Sequence, residues 1–384
     1  MFTFIKSRYK WILGSLVAII GVWMALHHLN LMPNSYYFEF YLRKYKLVRF
    51  NTSFFINDEK VKGWVKNPPA WAVEQIKSDF AAFPEITHKQ LNEVYQENFT
   101  PHNRLLRVQI ENKKVYVPQE ANISLAHYRT LLTAIKYLAQ NELIPDCTFL
   151  VCTQDYFVAK SKVPVPVMGY AKHTEIPVEK DVILIPDWLN MKAWAFAGKT
   201  IERARRKMPD EDRKKMLFWR GGCADSMGHR GKLVKMGETS DVIDAKFVGA
   251  GFPSKFIQGY DHLDYLYQIT LDGARCAWDR FVWQLASGSI VFKGNSPQKQ
   301  WFYRGLKSGV HYIDLPVETY AIEGMIKELN ADPERSKKII ANALEFSNNN
   351  LKVDHMYAYL ALVIREYAKR YKGPTDMGMI RVEY

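Results

Sequence analysis

The sequence predicts an α/β protein built on parallel sheets, and three observations carry that expectation. Apolar runs that read as buried strands recur from Cys147 onward: CTFLVCT, VILIP, LFW, AKFV, LYQITL, SIVF and VHYIDL. Segments with helical spacing of apolar residues separate them, an alternation that argues for parallel α/β layers. The chain has 384 residues with ordinary globular composition, long enough for two domains at ~100–200 residues each.

The amino terminus has a different character. No Asp, Glu, Lys or Arg occurs from Trp11 to Phe38, and WILGSLVAIIGVWMALHHLNL matches the ~20 residues that cross a bilayer core. Lys6, Arg8 and Lys10 precede it and no small-x-small cleavage site follows, so residues 1–38 are expected to be a signal anchor. Arg43, Lys44, Lys46 and Arg49 balance the basic residues in front, which leaves its orientation open. Residues 39–99 read as a basic, aromatic juxtamembrane segment, with one helix starting at the prolines of NPPAWAVEQIKSDFAAF.

Arg104–Val117 alternates about Glu111-Asn112-Lys113 as a β-hairpin does, and Ser124–Gln140 carries apolar residues at helical spacing. The expected division is one α/β domain over 100–195 and a second over 196–348, with the boundary near Trp194–Gly198. A long helix within 349–384 is expected to pack back on the first domain.

A formal charge of +13 calls for anionic partners: nucleotides, or phospholipid and lipopolysaccharide surfaces. Nucleic acid is disfavoured, because the basic residues are spread along the chain without a helix-turn-helix, zinc or RNA-recognition signature. The four cysteines are too few for a disulfide scaffold and their spacing suits no zinc module, so buried free thiols are expected. Asn51, Asn98 and Asn122 begin N-x-S/T triplets, about as many as chance gives.

The chemistry gathers between Trp219 and Lys293. LFWRGG ends an apolar strand in Arg220, Gly221 and Gly222, and a charged guanidinium with bare N–H groups at a strand's C-terminal end suits an anion. Trp278–Ala286 has helical spacing that sets Arg280 in the first turn, where guanidinium and helix terminus would act together. With Arg275 nearby, these arginines suit a diphosphate. Ordinary ion-paired arginines are the competing reading.

LFWRGG, IDAKF (Ile243–Phe247), DRFVWQLASGSIVFK (Asp279–Lys293) and WFYRGLKSGVHYI (Trp301–Ile313) together resemble the family 90 glycosyltransferases. RVQIENKKVYV (Arg107–Val117), FLVCTQDYF (Phe149–Phe157) and DVILIPDW (Asp181–Trp188) agree, in the family's order. The resemblance implies two Rossmann-like domains facing a cleft, the glycosyltransferase B-type architecture, with residues 100–195 on the acceptor side and 196–348 binding the donor nucleotide. It also implies Asp155 as the base that deprotonates the acceptor hydroxyl, and a place for Asp244 beside the nucleoside. Arg220, Gly221, Gly222, Arg275 and Arg280 would hold the UDP-sugar donor, and Trp188 would touch the sugar, while His311 is read as structural. No metal or other cofactor is expected: the one D-x-D triplet, Asp210-Glu211-Asp212, begins a polar surface turn.

These readings converge on a membrane-anchored inverting transferase that moves glucose or xylose to lipopolysaccharide, capsule or another glycan, at a bacterial inner membrane with its catalytic part cytoplasmic. A protein O-glucosyltransferase or O-xylosyltransferase is the alternative. From other classes stand a phosphotransferase using the same arginines and a non-enzymatic basic membrane protein that binds anionic glycolipid.

Overall fold

Two sheets, one mixed and one parallel, organise the chain. The structure, a computed structural model, describes residues 56–100, 104–119, 121, 126–154, 166–177, 179–254, 259–315, 321–373 and 380–382. These belong to one compact unit, Asn51–Tyr384. The expected anchor segment and Asp155 lie outside the described residues. Among the described residues no helix is long and apolar enough to cross a membrane.

The first elements are α1 (Asp58–Lys66), α2 (Ala70–Asp79), β1 (Ile86–Thr87) and α3 (His88–Asn98). Pro69 caps α2, as the proline pair predicts. The hairpin follows as β2 (Leu105–Glu111) and β3 (Lys114–Val117). Asn112 and Lys113 both have positive φ there, the conformation of a tight two-residue hairpin turn. Next come α4 (Ala126–Gln140), β4 (Cys147–Cys152), β5 (Val167–Gly169), β6 (Lys172–His173), β7 (Ile183–Leu184) and α5 (Trp188–Arg206). Trp194–Gly198, the expected boundary, falls inside α5.

The second sheet uses β8 (Lys214–Gly221), α6 (His229–Gly237), β9 (Ile243–Phe247), β10 (Tyr265–Thr270), α7 (Arg280–Leu285), β11 (Ile290–Gly294), β12 (Gln298–Lys299) and β13 (Ile313–Leu315). The chain closes with α8 (Ile322–Ala331), α9 (Pro333–Asn350), α10 (Val353–Arg370), β14 (Tyr371–Lys372) and β15 (Ile380–Arg381). The segment after Trp301 forms only a 3-10 turn, at Tyr303–Gly305.

The second sheet is wholly parallel, in the order β13-β11-β10-β8-β9. Its order reverses at β8, so the crevice beyond the C-terminal ends of β8 and β10 is a topological switch point, where open α/β sheets hold ligands. The first sheet departs from expectation. Its order is β15-β3-β2-β4-β5-β7, and β2 pairs antiparallel with both β3 and β4, leaving only β4-β5-β7 parallel. The tight turn at Asn112–Lys113 forces the first reversal.

α10 returns to the first sheet. It buries residues around most of its circumference, from Met356 to Tyr367, as a core helix does. Arg365 Nε donates to the Leu143 carbonyl at 2.7 Å, fixing the helix against the end of α4. Trp71 of α2 stacks on Tyr359 at 6.1 Å and meets Trp301 at 5.8 Å, so the aromatic part of the WFYRGLKSGVHYI segment belongs to the core. His311 is structural too: its Nδ1 accepts from the Lys307 amide at 3.0 Å.

Asp187 caps α5 from a fully buried position, its Oδ1 accepting from the Asn190 amide at 2.8 Å. Burial pushes its carboxyl up to about 7, with the Asn190 amide opposing and the Asp279 carboxylate adding to the shift. The folded state therefore keeps a proton that the unfolded chain releases near 3.8, and this contribution to stability declines as pH rises from about 4 to about 7. Asp187→Asn retains the cap but cannot titrate. Its melting temperature should fall less steeply than that of the wild type between about pH 4 and about pH 8, and parallel curves would remove the buried carboxyl from the account.

Candidate active site

The switch-point crevice begins with β8. Residues alternate across a strand, so Phe218 and Arg220 share one face and Trp219 takes the other. Phe218 pairs with Asp244 in the β8–β9 register, which sets Arg220 diagonally from Asp244 on the same face. The guanidinium stacks over Phe218, 4.3 Å from its ring centre, and Nη2 bonds the Asp244 carboxylate at 2.8 Å. Nη1 donates to the carbonyls of Trp219 and Asp244, each at 2.9 Å. Arg220 is thus a clamp between two strands.

Trp219 is 1 % exposed and lies across Gly221, where a Cβ would overlap its ring. The glycine is needed by the tryptophan. Gly222, by contrast, has nothing within 4 Å of a Cβ position and leaves its backbone open.

Arg230 and Arg280 converge on the same tryptophan, their guanidinium carbons 5.7 and 5.9 Å from its ring. Arg230, in the first turn of α6, spans the crevice: it donates to the Gly222, Leu271 and Asp272 carbonyls at 3.0–3.2 Å. Arg280 donates through Nη2 to the Arg220 carbonyl at 2.7 Å, while Nη1 is enclosed without a partner. The indole N–H of Trp219 is also buried without a partner. Burial, with the nearby Arg230 charge adding to it, lowers the Arg280 guanidinium to about 10 against the pull of Asp279. Two cations and two unmet donors thus gather around one ring, and charge-assisted hydrogen bonds to an anion are the chemistry open to them.

The remaining sequence candidates are distributed differently. Arg275 pairs with the buried Glu179, Nη2 to Oε1 at 3.3 Å, which ties the segment after β10 to the loop before β7. Asp244 is committed to Arg220 and lies 3.7 Å from Lys246. Trp188 opens α5, half-buried, with its ring edge-on to His127 at 5.0 Å. Asp210–Asp212 forms one exposed 3-10 turn. Cys147, Cys152 and Cys276 are buried thiols and Cys223 is exposed, where all four were expected inside.

Two expectations change in detail. α7 has six residues, because Trp278 sits at φ +54 and the helix cannot begin before Arg280. So short a helix gives Arg280 little macrodipole support. The N-terminus of α6 is filled by Asp225, which accepts from the Met227 amide at 2.9 Å and from the Arg230 amide. Arg230 is not singled out in the sequence, where it stands in the basic run GHRGK; its signal was a position ten residues after Arg220, at the start of the helix following a strand-end Gly-Gly.

A parallel sheet with cationic side chains at its switch point defines an α/β protein with a basic crevice. The model of glycosyl transferase family 90 matches residues 67–382, and the chain belongs to that family. Human protein O-glucosyltransferase 3 is 25 % identical over 327 residues, 79 % of this chain and 62 % of the relative. Zebrafish protein O-glucosyltransferase 2 is 25 % identical over 336 residues, 80 % of this chain and 64 % of the relative. Bovine protein O-glucosyltransferase 1 is 22 % identical over 254 residues, 59 % of this chain and 63 % of the relative. The chain thus spans less than two thirds of the length of these relatives.

The two glycines should separate by substitution. Gly221→Ala forces the Trp219 ring to move and should cost on the order of 1–3 kcal/mol, the usual penalty for overpacking. Gly222→Ala meets open space and should stay within about 0.5 kcal/mol of the parent. Urea unfolding of both measures the difference; equal stabilities would contradict the packing of Trp219 on Gly221.

Proposed function

We propose that this chain transfers glucose from UDP-glucose to a hydroxyl group of a protein, with inversion at the anomeric carbon and without a metal. The glucosyl group and the protein acceptor follow the names of the relatives. Lipopolysaccharide or capsule, the first expectation for the acceptor, gives way because the relatives above all carry names of protein-directed enzymes. The observation that carries the donor assignment is Arg280 Nη1, enclosed without a partner beside Arg230 and the bare indole N–H.

In this reading the diphosphate lies against Arg230 and Arg280, with Gly222 admitting the donor closely. Arg220 and Asp244 hold β8 and β9 in register, and Arg275 braces the entrance through Glu179. The acceptor oxygen attacks the anomeric carbon while its proton passes to Asp155, the base that the family motif implies. The bond from that carbon to the diphosphate breaks, and its electron pair leaves as added negative charge on UDP. Preorganised guanidinium groups stabilise that growing charge without reorganisation. Two facing Rossmann-like domains and attachment to a membrane through Trp11–Leu31 complete the proposal, the latter resting on the sequence of that segment.

Lysine cannot reproduce the planar fork of arginine. Arg280→Lys should therefore weaken UDP binding about tenfold or more, the equivalent of one charge-assisted hydrogen bond. Arg220→Lys should instead lower the melting temperature with a smaller effect on affinity. Calorimetric titration of UDP, with folding checked by circular dichroism, makes the comparison, and an unchanged affinity in Arg280→Lys would refute the donor assignment.

Asp155→Asn should retain UDP binding while transfer falls on the order of 10²–10⁴-fold, the range of general-base catalysis. Turnover of purified variant on a hydroxyl acceptor measures this; near-normal turnover would exclude Asp155 from the mechanism. Activity should also survive exhaustive EDTA treatment, and loss reversed by Mn²⁺ or Mg²⁺ would show that the arginines do not stabilise the leaving group alone.

A further inference from the structure

The Arg230 guanidinium rests on a glycine. A Cβ at residue 273 would lie 2.8 Å from Arg230 Nη2, 3.1 Å from its Cζ and 3.3 Å from the Ala224 carbonyl oxygen. The φ of Gly273 is outside the left-handed region, so the backbone itself would accept an alanine; the group that a methyl would disturb is the guanidinium. Both backbone groups of the glycine are engaged. Its N–H donates to the Arg275 carbonyl at 2.8 Å, and its carbonyl accepts from the Ser226 amide at 3.2 Å and from Ser226 Oγ at 3.1 Å. The bonds to Ser226 stitch the loop after β8 to the loop after β10 and hold the glycine against Arg230.

The preceding residue is held from a third strand. Lys293, opposite Thr270 in the β10–β11 register, donates through Nζ to the Asp272 carboxylate at 3.1 Å and to the Gly294 carbonyl at 2.9 Å. The lysine and aspartate side chains are 7 % and 4 % exposed, so water does not loosen the pair. Asp272 Oδ1 is buried without a partner, which leaves Lys293, among the described residues, to orient the carboxylate. The carbonyl of the same Asp272 receives Arg230 Nε at 3.1 Å. Nη1 and Nη2 each spend one N–H on the Gly222 and Leu271 carbonyls and keep a second. The plane of the guanidinium sets where those remaining N–H groups point, and Asp272 and Gly273 set the plane.

We propose that Gly273 and the Asp272–Lys293 pair are positioning residues for the donor, fixing the plane of the Arg230 guanidinium so that its remaining N–H groups meet the diphosphate. The inference rests on the donor reading, since Arg230 must hold that diphosphate. A guanidinium free to turn would have to be ordered by the ligand, at a cost in affinity, whereas one already held by three carbonyls and a glycine is ordered beforehand. The Asp272 carboxylate helps in a second way: it favours the charged form of Arg230 against the effect of burial.

Titration calorimetry of UDP into the full chain carrying Gly273→Ala, with Arg230 present and with Arg230→Ala, tests the coupling. With Arg230 present, the added methyl displaces the guanidinium and should weaken UDP about tenfold, the equivalent of one charge-assisted hydrogen bond. With Arg230 truncated, the methyl has nothing to displace and should change the affinity by less than about twofold. Asp272→Asn combined with Lys293→Met removes the ion pair without leaving a lone buried charge, and it should weaken UDP several-fold only where Arg230 is present. A merely structural role for these residues predicts equal losses in both backgrounds, and that result would overturn the proposal. Full affinity in Gly273→Ala and in the combined variant would overturn it too, and the combined variant decides alone if Gly273→Ala does not fold. Unchanged affinity in Arg230→Ala by itself would remove Arg230 from the donor site and the proposal with it, whereas a loss confined to Arg230→Ala would leave the donor reading standing and sink only the positioning.

Discussion

The indole ring of Trp219 is the surface on which the switch-point crevice of this protein is assembled. It fills the space that a side chain at Gly221 would take, and two guanidinium groups approach it from α6 and from the start of α7. Bringing two cations together at a buried ring is unfavourable unless something negative compensates. Backbone carbonyls at the ends of β8 and β10 hold Arg230, one carbonyl holds Arg280, and Asp279 attracts the latter. These partners suffice for folding but leave an N–H group of Arg280 unmet. In the proposed reading an anionic ligand supplies what is missing, and such a deficit at a switch point suits charge that grows during a reaction.

The remainder of the architecture keeps that surface in place. The Arg220–Asp244 clamp fixes β9 beside β8, and Arg275 reaches Glu179 from the other side of the crevice. α10 returns to the first sheet, while Trp71 brings α2 onto Trp301 and Tyr359. Each of these contacts joins segments far apart in the chain, so the crevice is held by the whole described fold and not by its own loops.

Much of the fold was legible because its signals are local. Alternating apolar runs located β4, β8, β9, β10 and β11, and Asn112–Lys113 identified the hairpin through turn chemistry. Local signals fail where pairing decides. Arg220 looked like the best anion ligand, since an apolar strand and two glycines flanked it. The register that sets it beside Asp244 joins residues more than twenty positions apart, and no periodicity reveals it. Gly221 was read as room for a ligand's approach, whereas the ring of its neighbour but one occupies that room. Arg230 was hidden among basic residues at the start of a helix. The mixed first sheet was missed for a related reason: strand direction depends on which strands pair, and apolar runs read the same both ways.

A crystal structure of the protein with UDP would test the central claim most directly. The account predicts a diphosphate oxygen at about 2.7–2.9 Å from Arg280 Nη1, the separation of a charge-assisted hydrogen bond, with Arg230 on the same group and the Arg220–Asp244 pair intact. A diphosphate bound elsewhere, with Nη1 still bare, would contradict it.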